Sequence, residues 1–141
     1  MKALRFVQLA LVAAALALEA SPWGAVCNFA VAPESGGGVN RQTFSYFDLL
    51  PLGYANAGPF LTALLTCALA IAVIIGCFVQ SRALLRCITG ISAAAVVTSL
   101  MPLMFGLSYY SVVGLLITLL LTASVALGSM RAKNSPSPEN L

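Results

Sequence analysis

Hydrophobic residues in this chain are concentrated in four long runs, and shorter polar or aromatic segments separate the runs. A hydrocarbon core of about 30 Å requires roughly 20 apolar residues of helix to cross it. Three runs reach this length with no charge in their central part, and the first reaches it if its helix continues past Glu19 to Trp23. The predicted spans are residues 6–23, 60–80, 84–105 and 108–130.

This pattern predicts an all-α membrane protein, a bundle of four transmembrane helices with a long aromatic outer loop at residues 24–59. The composition agrees, because 60% apolar and only 8% charged residues leave too little polar surface to cover a water-soluble globule. We expect residues 1–130 to form a single membrane domain and residues 131–141 to form a disordered cytoplasmic tail.

The first run has a second interpretation, as a signal peptide. Met1–Arg5 supplies a basic segment and Phe6–Leu18 an apolar segment of suitable length. The small residues Ala15 and Ala17 lie inside the apolar run, and Leu18 and Glu19 precede the alternative cleavage point after Ala20. A retained first span is therefore favoured over cleavage.

The basic residues predict the orientation of the chain. Six of the seven basic residues flank the spans on one side, and such residues favour the cytoplasm. The six are Lys2, Arg5, Arg82, Arg86, Arg131 and Lys133. This distribution predicts a multi-pass protein of the cell membrane with both termini in the cytoplasm. It also explains the net charge of +3 without nucleic-acid binding, which requires a clustered basic face.

Small and hydroxyl residues recur at helical spacing on three spans, where they allow helix backbones to approach closely. We interpret them as a helix-packing seam, in preference to a pathway for a solute. Pro102 is expected to kink the third span, because it removes a backbone donor. The seam consists of Ala63, Cys67, Gly90, Ala94, Gly114, Thr118 and Thr122.

The outer loop is too apolar for a disordered segment. Val26–Val31 and Gln42–Phe47 have β-strand character, and Glu34–Gly38 between them favours a turn, so a small β-hairpin is predicted. A short turn or helix follows at Asp48–Tyr54. The aromatic residues fit an interfacial belt, or a surface that recognises a lipid or a partner protein. They are Trp23, Phe29, Phe44, Tyr46, Phe47 and Tyr54.

Glu19 is an acidic residue close to membrane depth, and such a carboxylate suggests a functional site. We favour an interfacial residue paired with Arg41 or water over a proton site. Four spans with a carboxylate in the first resemble the small multidrug exporters, but those have short loops and a more central glutamate.

The four cysteines do not predict redox chemistry or a metal site. Thiol exchange requires paired thiols, and Cys67 and Cys77 are separated by about 15 Å of helix axis. The chain has no histidine, and Cys27 and Cys87 are not at ligand spacing. We therefore expect no metal, no other cofactor and no catalytic residue.

Two segments of the outer loop resemble a group of small four-span bacterial membrane proteins that are functionally uncharacterised. They are residues 24–30 (GAVCNFA) and 44–59 (FSYFDLLPLGYANAGP), and the likeness extends to the arrangement of the spans. This resemblance implies a location in the bacterial cytoplasmic membrane and gives no activity.

The sequence as a whole favours a non-enzymatic membrane component that binds a partner protein or lipid through its outer loop. The alternative is a small oligomeric transporter or channel that uses Glu19 and the Ser/Thr stripe of the fourth span. An enzyme is disfavoured, because acid–base or nucleophilic catalysis needs convergent ionisable groups, and the carboxylates are scattered along the chain. The expected partners are the bilayer and either a membrane protein or further copies of the chain.

Overall fold

The computed structural model describes residues 2–79 and 81–134. Most of this part of the chain is helical, and four helices are long and apolar enough to cross a membrane, which confirms that prediction. The long helices are α1 (Lys2–Ala20), α3 (Gly58–Phe78), α4 (Arg82–Leu100) and α5 (Val112–Lys133). Gln80, at the predicted end of the second span, and residues 135–141 of the predicted tail lie outside the described residues.

Each long helix packs against two others: α1 contacts α3 and α5, and α4 contacts the same two helices. The α4 helix ends at Leu100 and continues as a 3-10 turn, Met101–Phe105, with Pro102 in its first turn. The helix type therefore changes next to Pro102, where a kink was predicted, and the missing donor falls in the first turn of the 3-10 segment, where it is tolerated.

The segment between α1 and α3, residues 21–57, is called the cap below. It contains two antiparallel strands, β1 (Ala25–Ala30) and β2 (Val39–Phe44), which confirms the predicted hairpin. A short helix, α2 (Leu49–Tyr54), follows. The turn between the strands uses positive φ angles at Gly36, Gly37 and Gly38, which only glycine adopts without strain.

The cap is attached to the end of the helices at which α1 finishes, called here the cap end. The backbone N–H of Tyr46 and the hydroxyl of Ser45 both donate to the main-chain carbonyl of Glu19, each at 2.9 Å. A further bond to the cap comes from α5, where the Ser111 hydroxyl at the start of the helix donates to the carbonyl of Gly24 at 2.5 Å. These bonds join the cap to both α1 and the start of α5.

Apolar side chains on the outward faces of the long helices are exposed, among them Phe6, Ile71, Phe78 and Leu119. In contrast, the faces between the helices are buried, and the buried residues form one continuous core from α1 to α5. Lipid contact would cover the outward faces, as expected for helices that cross a bilayer.

Candidate functional site

Glu19 lies in the last turn of α1 and is fully buried. Its Oε1 is 2.8 Å from the hydroxyl oxygen of Thr66 on α3. Its Oε2 is buried as well and has no hydrogen-bond partner among the described residues. Burying a polar atom without a partner is costly, and an isolated charge is far more so. This carboxyl group is therefore the leading candidate for a functional site.

Other buried or half-buried positions at the cap end of α3, α4 and α5 also carry hydroxyl groups. Thr62 on α3 and Thr98 on α4 lie 2.8 Å apart through their hydroxyl oxygens. Ser99 on α4 and Thr118 on α5 form a similar contact at 2.9 Å, and the Tyr110 hydroxyl lies 2.6 Å from Thr118. With Glu19 and Thr66, these side chains form a cap-end polar layer that connects all four long helices.

Tyr46 of the cap closes this layer. Only 1% of the residue is exposed. A Cβ on Gly24 would lie 2.8 Å from the Tyr46 ring, and a Cβ on Gly114 would lie 3.1 Å from its hydroxyl oxygen. Burial raises the pKa of Tyr46, and the electrostatic effects of Tyr110 and Glu19 raise it further. The Tyr46 hydroxyl thus lies within electrostatic reach of the Glu19 carboxyl.

An apolar layer lies next to the cap-end polar layer, towards the other end of the helices. Its members precede Glu19 on α1, follow Thr66 on α3, precede Thr98 on α4 or follow Thr118 on α5, and all are at most 1% exposed. Such tightly buried aliphatic side chains exclude water. The apolar layer consists of Val12, Ala15, Leu69, Val73, Ala95 and Leu121.

A second polar cluster, the far-end polar layer, lies beyond the apolar layer. The buried guanidinium of Arg131 donates to Gln8 Oε1 at 2.5 Å and to the carbonyl of Gly76 at 2.9 Å. The amide nitrogen of Gln8 donates to both the carbonyl and the hydroxyl of Ser124, and this hydroxyl is 3.3 Å from that of Ser92. Gln8 precedes Glu19 by about 16 Å of helix axis, so the two layers are well separated.

The structure gives Glu19 and Arg41 different partners, whereas the sequence favoured Arg41 or water as the partner of Glu19. Arg41 lies opposite Asn28 in the hairpin, and this register places it over the connection between α4 and α5. Its guanidinium donates to the carbonyls of Ser108 and Tyr110, each at 3.4 Å. Arg41 remains exposed, whereas Glu19 is sealed below the cap.

The loop aromatics separate into inward-facing and outward-facing groups. Tyr46 is fully buried, and Phe44 is half-buried against the core. Phe29 packs against the rings of both Phe44 and Tyr54, with centroids 6.4 and 5.6 Å away. The outward-facing group consists of Trp23, Tyr54 and Phe47, whose exposed fractions are 63%, 77% and 40%. The cap therefore uses some of its aromatic residues for internal packing and presents the others outward.

The seven residues of the predicted packing seam also occupy different environments. Ala63, Gly114 and Thr118 are buried between helices, and Cys67 is half-buried. The exposed members are Gly90, Ala94 and Thr122. The α4 helix turns a different stripe towards its neighbours, with Leu85, Ile88, Ser92, Ala95 and Ser99 buried. The nearest buried positions, Ile88, Ser92 and Ala95, are one or two residues away from the seam positions Gly90 and Ala94, so the buried face of α4 is rotated from the predicted one.

The four cysteines are free, with Cys27 buried, Cys67 and Cys77 half-buried and Cys87 exposed. Burial raises the pKa of the Cys27 thiol. Across residues 2–79 and 81–134, no group of three or more His, Cys, Asp or Glu side chains is placed to hold a metal ion.

Several participants in the two polar layers were not proposed as site residues from the sequence, among them Thr66, Gln8 and Arg131. Thr66 is one of many hydroxyl residues in the spans, and only the packing of α1 on α3 shows that it faces Glu19. Gln8 carries a stronger signal, because an amide inside an apolar run must find a partner in lipid. No family model, curated protein or solved structure matches the chain.

Proposed function

We propose that this chain is a non-enzymatic, multi-pass component of the cell membrane that binds a partner protein or lipid through its cap. In this proposal the four long helices form a transmembrane bundle, the cap lies on the outer side and both termini are cytoplasmic. The contacts of Gln8 with α5 support retention of α1 as a span, since removal of α1 would take away the Gln8 partner of both the buried Arg131 guanidinium and Ser124.

The single observation that carries the proposal is the exposure of large apolar side chains on the cap. Trp23 is 63% exposed and Leu49 is 66% exposed, and both lie outside the long helices. Covering such a side chain is worth roughly 1.5–3 kcal/mol. Clustered exposed apolar residues mark interaction surfaces. The cap surface is made up of Trp23, Phe47, Leu49, Leu50, Leu52 and Tyr54.

The absence of an enzymatic role is also a proposal, and the positions of the acidic groups support it. Glu19 is buried below the cap, whereas Glu34 lies in the exposed hairpin turn. Asp48 is exposed and its Oδ2 accepts from the backbone N–H of Ser45 at 3.0 Å. General acid–base catalysis needs such groups to converge on one substrate atom, and these three lie in separate parts of the chain.

A photo-crosslinking amino acid at Leu49 tests the proposal in native membranes. We expect a specific adduct, whose mass identifies it as protein or lipid. The matched control is Gln42, an exposed polar residue on β2, which should give no specific adduct. Recovery of an uncrosslinked chain at Leu49, or of the same adducts at both positions, would count against binding by the cap surface.

Substitution of the cap surface provides a second readout. The variant in which Trp23, Leu49 and Tyr54 are all replaced by serine should lose a companion that co-purifies with the intact protein in mild detergent. Phe44 and Tyr46 are left unchanged, because they pack inside the protein. If the intact protein purifies only as a homo-oligomer, the proposed partner protein does not exist and lipid remains as the occupant.

The second candidate function is a small oligomeric transporter or channel, and the buried carboxyl of Glu19 favours it. The fourth-span stripe contributes Ser111 and Thr118 to the cap end, while Thr122 is exposed. Because the apolar layer separates the two polar layers, transport would need this layer to open or several protomers to assemble. Solute flux in proteoliposomes that is lost on Glu19→Gln would support this function over the first.

A further inference from the structure

The hydrogen-bond geometry around Thr66 constrains the protonation of Glu19. The Thr66 hydroxyl oxygen lies 2.8 Å from Glu19 Oε1 and 2.9 Å from the main-chain carbonyl oxygen of Thr62. A threonine hydroxyl has a single proton and can also accept. A carbonyl oxygen can only accept. An ionised Glu19 could also only accept, so one of the two contacts would then lack a proton.

Both contacts are satisfied together when Glu19 is protonated on Oε1. Glu19 then donates to the Thr66 hydroxyl, and Thr66 donates its own proton to the carbonyl of Thr62. Oε2 becomes an uncharged carbonyl oxygen, and its lack of a partner is much less costly than that of a carboxylate oxygen.

The groups that face Glu19 do not supply a compensating positive charge. The cap contributes the Tyr46 hydroxyl and α3 contributes the Cys67 thiol, both within its electrostatic reach. At this depth α4 and α5 contribute uncharged hydroxyl groups, those of Thr98, Ser99 and Thr118.

Charged residues do occur elsewhere on the elements around Glu19. In the cap, Arg41 is directed to the carbonyls of Ser108 and Tyr110, and Asp48 to the backbone of Ser45. On α1 itself, Arg5 is about 21 Å along the axis from Glu19. A buried carboxyl group without a nearby cation is stabilised in its neutral form.

We propose that Glu19 is a proton-binding site, occupied by a proton on Oε1 that is donated to Thr66 while the cap is closed. The ligand is a proton. A sodium ion would require several oxygen ligands around one point, whereas Thr66 is the described side chain that contacts this carboxyl. This inference is independent of the proposed binding by the cap surface, because it concerns the isolated protein in lipid.

Infrared difference spectroscopy of the protein in lipid vesicles at neutral pH tests the proposal. We expect the carbonyl-stretch band of a protonated carboxylic acid in the wild type, and its loss in Glu19→Gln. The band should remain in Glu34→Gln and Asp48→Asn, whose carboxyl groups are exposed. Loss of a carboxylate band in Glu19→Gln, with no change in the carboxylic-acid region, would overturn the proposal.

Two further arms keep the test decisive if Glu19→Gln does not fold. Carbon-13 labelling of glutamate in the wild type should shift the carboxylic-acid band to lower frequency, and an unshifted or missing band would contradict the assignment. Thr66→Val should move the band, whereas Thr66→Ser should leave it in place. A band that is unaffected by Thr66→Val, or that disappears when sodium replaces potassium, would also refute the proposed site.

Discussion

Replacement of Tyr46 by alanine should release the cap from the helices. The Tyr46 ring is fully buried and lies between the cap and the start of α5, where its hydroxyl approaches Gly114. The main-chain bond from Tyr46 to Glu19 is retained in the variant. The substitution therefore removes the packing of the ring but keeps that attachment.

The size of the effect follows from the burial of this side chain. Truncation of a large buried aromatic residue to alanine costs about 3–5 kcal/mol. If this loss affects cap docking, and each 1.4 kcal/mol changes an equilibrium tenfold, the open cap becomes about a hundredfold to a few thousandfold more populated. Tyr46→Phe retains the ring and should have a much smaller effect.

Cys27 allows the open cap to be measured. This thiol lies in β1 and is 1% exposed, so a membrane-impermeant maleimide can reach it only when the cap opens. The three remaining cysteines lie in α3 and α4 and can be replaced to leave Cys27 as a single probe. The labelling rate in Tyr46→Ala should rise in proportion to the open population.

Equal labelling of Cys27 in the wild type and in Tyr46→Ala would refute the role of Tyr46 in docking. Rapid labelling of both proteins would show that the cap is already open in the wild type. Slow labelling of both would show that the Tyr46 ring contributes nothing to docking. Trp23→Ala is the matched control, because Trp23 is an exposed cap aromatic and its removal should leave the rate unchanged.

Four further predictions concern the helices, the interface and the pH response. Gly128→Ala should destabilise the protein by about 1–3 kcal/mol in detergent unfolding, because its Cβ would lie 2.7 Å from a hydroxyl oxygen of α4. Gly90→Ala is the control, because an added Cβ there would have no atom within 4 Å, and it should be neutral or slightly stabilising. Equal changes in stability for Gly128→Ala and Gly90→Ala would contradict the close packing of α5 on α4 at Gly128. Gln8→Leu should cost about 1–3 kcal/mol, since it leaves a buried guanidinium donor unpaired; wild-type stability would show that the bond is dispensable. Trp23 is the single tryptophan, and lipids brominated near the headgroup should quench its fluorescence, whereas unquenched emission would place it away from lipid. Burial raises the pKa of Cys27, so the neutral thiol stabilises the folded protein at neutral pH, and this stabilisation is lost as the pH rises through the raised pKa. Maleimide labelling of the folded protein should therefore reach its plateau at a higher pH than labelling of the denatured chain. Coincident pH profiles would contradict the burial of this thiol.

Much of the fold could be predicted from local patterns in the sequence. Apolar runs of sufficient length locate the four long helices, because a helix in lipid must satisfy its own backbone groups. The β-character of residues 26–31 and 42–47, with glycines between them, located the hairpin. The structure shifts the second strand to Val39–Phe44, since Tyr46 leaves the strand to enter the space above the helices.

The candidate site could be predicted only in part, because its geometry depends on helix rotation. The sequence singled out Glu19, but its nearness to the interface favoured water or Arg41 as its partner. The observed partner, Thr66, is determined by the packing of α1 on α3, which no local pattern specifies. The same limit applies to Gly90 on α4, which lies one helix face away from the buried stripe.

The bond between Gln8 and Arg131 joins residues 123 positions apart in the chain. During synthesis, Gln8 is therefore translated 123 residues before its partner. Until α5 is inserted, the amide of Gln8 therefore remains without this partner in the membrane. A nascent chain truncated before α5 would leave the side-chain amide of Gln8 without its partners on that helix, Ser124 and Arg131, so the packing of α1 is completed only with α5.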